Sequence, residues 1–388
     1  MLTVSNMDKV LRSVYLDVLT NSLNERTNAF YKKIQKTSAN VYGKEIIAPC
    51  SFGINGGVAC VDETSDLPES SVPTIVNFKA PMMNIYGNME LSDKLIRISD
   101  KGVGSAVDML NYEVKSLLNS ASYNLRRMLM QTGDGVLSTV VTGSSSNTVI
   151  NVAETRNFIE GMVVDFVSGQ NVVCSGRKII YVDKTNKTIK VDASVTDEAL
   201  VAGIKITVKG SFNKEIYGVP YIFSDTITTI YGNSKALVSY AVPAKYENTE
   251  VTSDALQEVL DNLEEESGSV PNMIISSFDM RRKYLNYLRE KSLNIDYNNQ
   301  VDDGFSSICY NGVPIYTDAF MEANTMYFIN SDDFVMGQLA DWSWIEGTNH
   351  DILHPIANKA AYGATLVKYC NLICTKPSAQ ARLKLVTE

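Results

Sequence analysis

The sequence predicts a mixed α+β fold in which one long helix separates a stretch of extended chain from a run of short strands. Three observations predict this class. Apolar residues keep a helical spacing over a long stretch after residue 105. Short strand-like runs, separated by turns, fill residues 138–232. Helix and strand patterns then alternate through the last third of the chain, which completes the α+β assignment.

The composition is that of a globular chain and excludes several classes of protein. Apolar residues make up 45% of the 388 positions, and 23 Gly and 10 Pro are too few for a collagen-like or disordered chain. The net charge of −9 argues against a protein that binds mainly by neutralising phosphates. No apolar run approaches the roughly 20 residues that span a bilayer, and the N-terminus lacks the uninterrupted apolar core of a secretory signal. We therefore expect folding in a cytoplasm and no contact with a membrane.

The cysteines fit the same compartment. They are scattered through the chain, and no two have the CxxC spacing of a metal or redox motif. We expect neither a structural disulfide nor a cysteine metal site. The six are Cys50, Cys60, Cys174, Cys309, Cys370 and Cys374.

The first hundred residues predict an arm followed by a long hairpin. In residues 1–36 a helical pattern fades at Asn21 and resumes weakly near Phe30, which is typical of a loosely attached arm. Residues 37–98 contain turn signals and strand-like runs at 74–78 and 94–98, but no convincing helix. Because this segment has few contiguous apolar residues, we expect it to pack on something other than its own core.

The strongest local signal predicts a helix of about 27 residues, roughly 40 Å long. Ser105 and Asp108 have the spacing of a capping box, and Gly133-Asp134-Gly135 marks the end. The predicted buried face consists of Val107, Leu110, Val114, Leu117, Leu118, Ala121, Leu125, Met128 and Leu129.

Residues 136–232 predict a small all-β barrel or sandwich inserted into the chain, since strand-like runs recur every ten to fifteen residues. The runs lie at 148–150, 162–166, 178–182, 188–191 and 204–208.

The last third predicts helices at 253–266 and 277–290 with a strand at 272–276 between them. A β-hairpin is predicted at 306–316, because Asn311-Gly312 suits the two positive-φ positions of a type I′ turn.

Two segments have residue spacings found in phosphate-binding or metal-binding sites, but each also has a feature that argues against binding. Lys101-Gly102-Val103-Gly104 resembles a phosphate-binding turn, but Val107 replaces the third glycine, so we interpret it as a hinge. Glu346, His350 and His354 have metal-ligand spacing on a helix, but Pro355 and the Gly347-Thr348-Asn349 run make a continuous helix there unfavourable. We therefore predict no catalytic, cofactor-binding or metal-binding residues and no cofactor.

Two further clusters have a structural interpretation and a functional one. Glu264-Glu265-Glu266 ends a predicted helix, where the dipole disfavours anions; it is either a solvated face or a contact with a basic patch on a neighbouring subunit. Trp342 and Trp344 are the only tryptophans, and either both pack in the core or one forms a subunit contact.

Five short segments together point to one known family. They are the acidic stretch 61–70, the polar stretch 89–95, the glycine turn 215–220, the hairpin 310–318 with the run 325–330, and the ending 376–383. With the element order above, they resemble the major capsid proteins of tailed bacteriophages, which have the HK97-like fold.

The resemblance implies a domain plan. Residues 1–36 become an N-terminal arm, 37–98 an extended β-hairpin loop, and 99–135 a long spine helix of the peripheral domain. An inserted β domain covers 136–232, a peripheral segment 233–250, an axial domain 251–355, and a C-terminal return to the peripheral domain 356–388. The chain lacks the long charged segment that precedes the arm in many members, so it either uses a separate scaffolding protein or begins at the arm.

The resemblance also implies a function: self-assembly, through hexamers and pentamers, into an icosahedral shell around double-stranded DNA. A scaffolding protein and a portal are further implied partners, and the virion capsid, assembled in a bacterial cytoplasm, is the implied location. Some members cross-link a loop Lys to an Asn of a neighbour; Lys44 and Lys79 are the loop candidates here, but no matched Asn and Glu stand out, so we expect no cross-link. The alternatives are an encapsulin shell and a metal enzyme built on Glu346, His350 and His354.

Overall fold

The computed structural model describes residues 28–62, 66, 68–69, 72–94, 104–142, 146–291, 297–298, 307–346 and 352–386. For residues 104–111, 297–298 and 307 it describes the backbone alone. The α-helices of this part of the chain are α1 Ala29–Lys33, α2 Gly104–Leu129, α3 Pro220–Phe223, α4 Ser253–Ser267 and α5 Phe278–Glu290.

Strands outnumber helices in the described part of the chain. In chain order they are β1 Gln35–Thr37, β2 Val41–Tyr42, β3 Glu45–Phe52, β4 Thr74–Pro81, β5 Met83–Ser92, β6 Val136–Thr139, β7 Val149–Asn151, β8 Val163–Ser168, β9 Asn171–Asp183, β10 Thr188–Val191, β11 Lys205–Val208, β12 Thr229–Ile230, β13 Asn233–Ser234, β14 Ala244–Asn248, β15 Met273–Ser276, β16 Tyr297–Asn298, β17 Ser307–Tyr310, β18 Val313–Thr317, β19 Thr325–Ile329, β20 Phe334–Trp344, β21 His354–Pro355, β22 Ala361–Cys374 and β23 Ala381–Leu385. Short 3₁₀ turns lie at Asp197–Leu200, Ser239–Ala241, Ser331–Asp333 and Pro377–Ala379.

A five-stranded central sheet is built around the long strand β22. Strands β5, β20 and β21 pair antiparallel with β22, and β1 pairs parallel with β20. Helix α2 packs on this sheet through Val114, Leu118 and Leu125, which are buried with sheet residues such as Leu366 in the first core. The helical periodicity therefore exists because one face of α2 is removed from water.

A seven-stranded sheet, in the order β14-β23-β19-β15-β18-β17-β16, separates the first core from a second. Alternate residues of β15 point to opposite sides: Ile275 lies in the first core and Ile274 in the second. Helices α4 and α5 both cover the second-core side. Thr252 caps α4 by accepting a hydrogen bond from the Ala255 N–H, and Gly268 ends it in the left-handed conformation.

A six-stranded sheet, in the order β6-β11-β8-β9-β10-β7, encloses a third core of its own. The buried residues of this core run from Leu137 to Ile206. Later buried residues, from Ile216 to Tyr231, lie in the first core with α2. The chain thus leaves the six-stranded unit before residue 216.

Most locally encoded elements lie where the sequence predicts them. The helix predicted at 253–266 is α4, and the one predicted at 277–290 is α5. The strand predicted at 188–191 matches β10 at both ends. Asn311 and Gly312 both have positive φ, at 47° and 78°, as the type I′ turn between β17 and β18 requires.

Two expectations for the first hundred residues are wrong. The end of the predicted loose arm is firmly held: Phe30 and Tyr31 are fully buried, and β1 belongs to the central sheet. The strand predicted at 94–98 is also wrong at its first residue, because Lys94 is helical; the rest of it lies outside the described residues. The long helix begins one residue before predicted Ser105 and ends at Leu129, four residues before Gly133.

Candidate functional site

The tip of the β3–β4 hairpin exposes apolar side chains to an unusual degree. Strands β3 and β4 pair in register from Glu45–Pro81 to Phe52–Thr74, so the chain between 52 and 74 forms the connection. In it Ile54 is 89% exposed, Val58 86% and Val72 77%. The segment between Phe52 and Lys79 contains four acidic residues and no basic one. The tip therefore presents an apolar, negatively charged surface that one chain leaves in water.

The paired strands of the same hairpin pack on the body as far as Phe52, next to the tip. The ring of Phe52 stacks on Tyr240 with 5.4 Å between centroids. The Lys79 N–H donates to the Tyr231 carbonyl oxygen at 2.9 Å. Ile46 packs so closely on β20 that a Cβ at Gly337 would lie 2.6 Å from its Cδ1. Because the strands are packed on the body and the tip is exposed, the tip is the part of the hairpin that can contact another molecule.

A buried ion pair joins the end of the long helix to the segment that follows the six-stranded unit. Arg127, in the last turn of α2, donates from both terminal nitrogens to the two carboxylate oxygens of Glu215. Its Nη1 also donates to Gln131 Oε1 at 2.5 Å. Next to this pair the Gly218 and Val219 N–H groups donate to the free carbonyls at the end of α2, those of Gln131 and Leu129.

A second buried charge lies in the central sheet. Lys368 is fully buried, and its Nζ donates to Asp341 Oδ1 at 2.5 Å and to Gln338 Oε1 at 3.0 Å. Its ammonium also lies 5.8 Å from the ring centre of Trp342. Burial by itself raises the pKa of Asp341, but the charge and hydrogen bond of Lys368 outweigh it and lower that pKa on balance.

The two ligand-like segments fall largely outside the described residues. His350 and the run from Lys101 to Val103 lie there, and Gly104 is the first residue of α2. His354 belongs to β21, and its Nε2 lies 3.2 Å from the Ile345 carbonyl oxygen. Among the side chains that the structure describes, no group of three or more His, Cys, Asp or Glu could hold a metal ion.

The structure also describes the tryptophans, the loop lysines and the cysteines that the sequence analysis considers. Trp342 and Trp344 are both buried in the first core, as the packing interpretation predicts. Lys44 and Lys79 are exposed. All six cysteines are free, and burial raises the pKa of the Cys50 and Cys370 thiols to about 11.

A groove of about 570 Å³ runs between α2, β5 and the turn after β11. Its lining is mainly apolar, with Leu117, Met128 and Trp342 among its walls. The carboxylate in its wall is Glu215, which is already paired with Arg127. The other charged groups among its described lining residues are the exposed Lys209 and Lys214, so no unpaired carboxylate lies beside a base there. In the described part of the chain, no helix has the length and apolar character needed to cross a bilayer.

The fold matches solved phage capsid structures over nearly its whole length. The Cyanophage A-1(L) capsid asymmetric unit aligns with a TM-score of 0.58 and 13% identity, covering 95% of this chain and 93% of that one. The capsid of a native GTA particle aligns with a TM-score of 0.51 and 10% identity, covering 92% and 90%. The holo-SrpI encapsulin complex from Synechococcus elongatus reaches only 0.46, with 11% identity and 92% and 88% coverage.

No family model and no curated protein matches the sequence. At identities of 13% and 10% the likeness concerns the fold alone. At that level the prediction made from the sequence is confirmed: this strand-rich α+β chain has the fold of phage capsid proteins.

Proposed function

We propose that this chain is the major capsid protein of a tailed bacteriophage, which self-assembles into the icosahedral head shell around double-stranded DNA. The observation that carries the proposal is the likeness to the Cyanophage A-1(L) capsid, which extends over 95% of the chain. The location that follows is the virion capsid, with assembly in the host cytoplasm.

The hairpin gives this proposal its physical basis. An apolar tip that a single chain leaves in water is stabilised when a neighbouring subunit covers it. The paired strands that carry the tip lose little conformational entropy when it docks, because they are already ordered. Subunits arranged as hexamers and pentamers would cover every tip in this way. A separate scaffolding protein and a portal are further proposed partners.

The domain plan is also a proposal, and the packing supports one refinement of it. Helix α2 would be the spine helix, and the seven-stranded sheet with α4 and α5 the axial domain. The six-stranded unit would be the inserted β domain. Because the side chains from Ile216 to Tyr231 are buried with α2, we place the end of this insertion near residue 210 instead of 232.

The role is structural, not enzymatic, on this proposal. Paired charges such as Arg127–Glu215 serve packing, and the net charge of −9 suits a container that encloses DNA without gripping its phosphates. An encapsulin compartment is the alternative shell. It would be recognised by a cargo peptide bound inside purified particles, whereas a capsid would package nucleic acid.

Trimming the hairpin tests the proposal. Phe52 and Thr74 are paired, so replacing residues 53–73 by Asn-Gly closes the hairpin with a two-residue turn. We expect a folded subunit, with unchanged circular dichroism, that no longer closes shells in electron micrographs. Normal shells from the trimmed chain would contradict the assigned role of the tip.

A second, milder variant covers the case in which trimming disturbs folding. Ile54→Ser with Val58→Ser keeps the chain length and removes only exposed apolar side chains. We expect this variant to fold and to assemble poorly. Exposed Leu237→Ser, outside the hairpin, is the matched control and should assemble normally.

A further inference from the structure

Helices α4 and α5 carry opposite charge on their solvent-facing sides. Helix α4 contains six acidic residues and no basic one, and all six are exposed: Asp254, Glu258, Asp261, Glu264, Glu265 and Glu266. Helix α5 contains four basic and two acidic residues, and Lys291 follows it directly. Its exposed cations are Arg282, Lys283, Arg289 and Lys291.

These charges do not neutralise each other within one subunit. Both helices pack on the same side of the seven-stranded sheet, but no ion pair joins them among the described residues. Tyr310 connects their inner sides instead: its hydroxyl donates to the Ser253 carbonyl oxygen, and its ring meets Tyr284 edge-on at 6.3 Å. The charged sides therefore face outward.

Each charged side also has an exposed apolar residue at one end. Val270, just after the Glu264–Glu266 run, is 55% exposed, and Phe278, which begins α5, is 46% exposed. The guanidinium of Arg281 lies over the Phe278 ring, 5.6 Å from its centre. A neighbour that covered both ends would bury apolar surface as well as pair charges.

The position of the glutamates favours a cationic neighbour. Glu264, Glu265 and Glu266 form the last turn of α4, where the helix dipole already disfavours negative charge. No basic residue of α4 offsets it. Cations from another molecule would relieve both the dipole and the mutual repulsion of the carboxylates.

We propose that the acidic side of α4 in one subunit docks on the basic side of α5 in a second copy of this chain. In a capsomer the copies are related by rotation, so on the proposed function the contact is head-to-tail and generates a ring because that rotation closes. This inference rests on the proposed function, for which it names the contact that closes each capsomer. On this proposal the Glu264–Glu266 cluster forms the contact with a basic patch on a neighbouring subunit.

Charge reversal tests the contact in the full chain. In one variant, Glu264→Lys, Glu265→Lys and Glu266→Lys make both helices basic. In another, Arg282→Glu, Lys283→Glu and Arg289→Glu make both acidic. Each variant alone should remain folded by circular dichroism and lose association at least tenfold in sedimentation velocity. Joining all six substitutions in one chain should restore association.

Mixing the two single-helix variants sharpens the test. An equimolar mixture can alternate around a ring with an even number of subunits, so it should form rings in which the variants alternate, detectable by native mass spectrometry. Glu198→Lys and Lys184→Glu, at exposed positions of the six-stranded unit, are the matched controls and should associate like the unchanged chain.

The outcomes separate this contact from the shell itself. Shells formed by both reversed variants would overturn the contact and leave the capsid proposal standing. Rings of the unchanged chain that never close into shells, and that vanish on reversal and return in the mixture, would support the contact against the capsid proposal. Failure of both the joined variant and the mixture to associate would also overturn the contact.

Discussion

The guanidinium of Arg127 and the carboxylate of Glu215 form a two-point ion pair from which solvent is excluded. Nη2 lies 2.5 Å from Oε1 and Nη1 lies 2.9 Å from Oε2. The residues are 88 positions apart in the chain, one in the last turn of α2 and the other after the six-stranded unit. The pair therefore holds the point at which the chain returns to the body of the subunit.

Removing one partner of the Arg127–Glu215 pair should substantially lower the free energy of unfolding. Arg127→Met leaves the Glu215 carboxylate buried without its partner, which typically costs about 3 to 5 kcal/mol. That is a large share of a typical total of about 5 to 15 kcal/mol. Chemical denaturation should show the loss. The double change Arg127→Met with Glu215→Leu should recover most of it, and equal stability of the single variant and the unchanged chain would contradict the assignment.

Gly218 should tolerate no side chain. A Cβ there would lie 2.4 to 2.5 Å from the carbonyl oxygens of Gln131, Leu129 and Met128. These belong to backbone at the end of α2, which cannot rotate away, so Gly218→Ala should cost about 3 kcal/mol. Gly161→Ala is a matched control for the added methyl group, since nothing lies within 4 Å of it; its positive φ predicts a smaller cost. A thermal melt of each variant decides between these expectations.

The buried face of α2 can be tested with one charge. Leu118 is 4% exposed in the first core, whereas neighbouring Asn119 faces solvent. Leu118→Asp should cost about 3 to 5 kcal/mol and make the subunit insoluble, because the carboxylate has no partner there. Asn119→Asp should fold normally. The opposite result for the two variants, read from soluble yield and circular dichroism, would mean that the helix is rotated.

Lys368 and Asp341 should respond differently to substitution, because Lys368 is fully buried and Asp341 is 38% exposed. Asp341→Asn leaves a buried ammonium without an anion and should cost about 2 to 4 kcal/mol. Lys368→Met leaves a carboxylate that water can reach, so it should cost less. A larger loss for Lys368→Met in urea unfolding would contradict this ranking.

The Lys368–Asp341 pair predicts that the stability of the fold depends on pH. The folded pKa of Asp341 lies below its ordinary value of 3.8, since Lys368 favours the ionised form. The stabilisation is therefore complete above that ordinary value and is lost as pH falls through the lower, folded pKa. The stability difference between the unchanged chain and Asp341→Asn should shrink in this acidic window. A difference that stays constant there would exclude the pairing as its cause.

Local signals explain what could be predicted from the sequence. The strand at Thr188–Val191 and the turn at Asn311-Gly312 depend on neighbouring residues and lie where they were expected. The turn at 215–220 is one of the segments that resemble the capsid family, and its residues have a physical role here. Glu215 pairs with Arg127, and Gly218 lies against the end of α2.

Contacts between distant residues explain what could not be predicted. Strand β5 was expected in the extended loop, but it pairs with β22, some 270 residues later. Phe30 and Tyr31 are buried by strands that follow much later, so a weak helical pattern could not reveal them. Leu117 fits the helical spacing as well as Leu118 does. Its side chain is only half buried, because it lies at the edge of the buried face of α2. The charge difference between α4 and α5 is visible in the sequence, while their common placement on one sheet is not.

Electron microscopy of the purified, unmodified chain in negative stain tests the central claim most directly. If the chain is a capsid subunit, the micrographs should show closed shells of uniform diameter, or rings of five and six subunits when a scaffolding protein is missing. Nuclease-protected DNA inside particles from infected cells would complete that result. A chain that stays monomeric at high concentration, with no rings or shells under any condition of salt or crowding, would contradict the account.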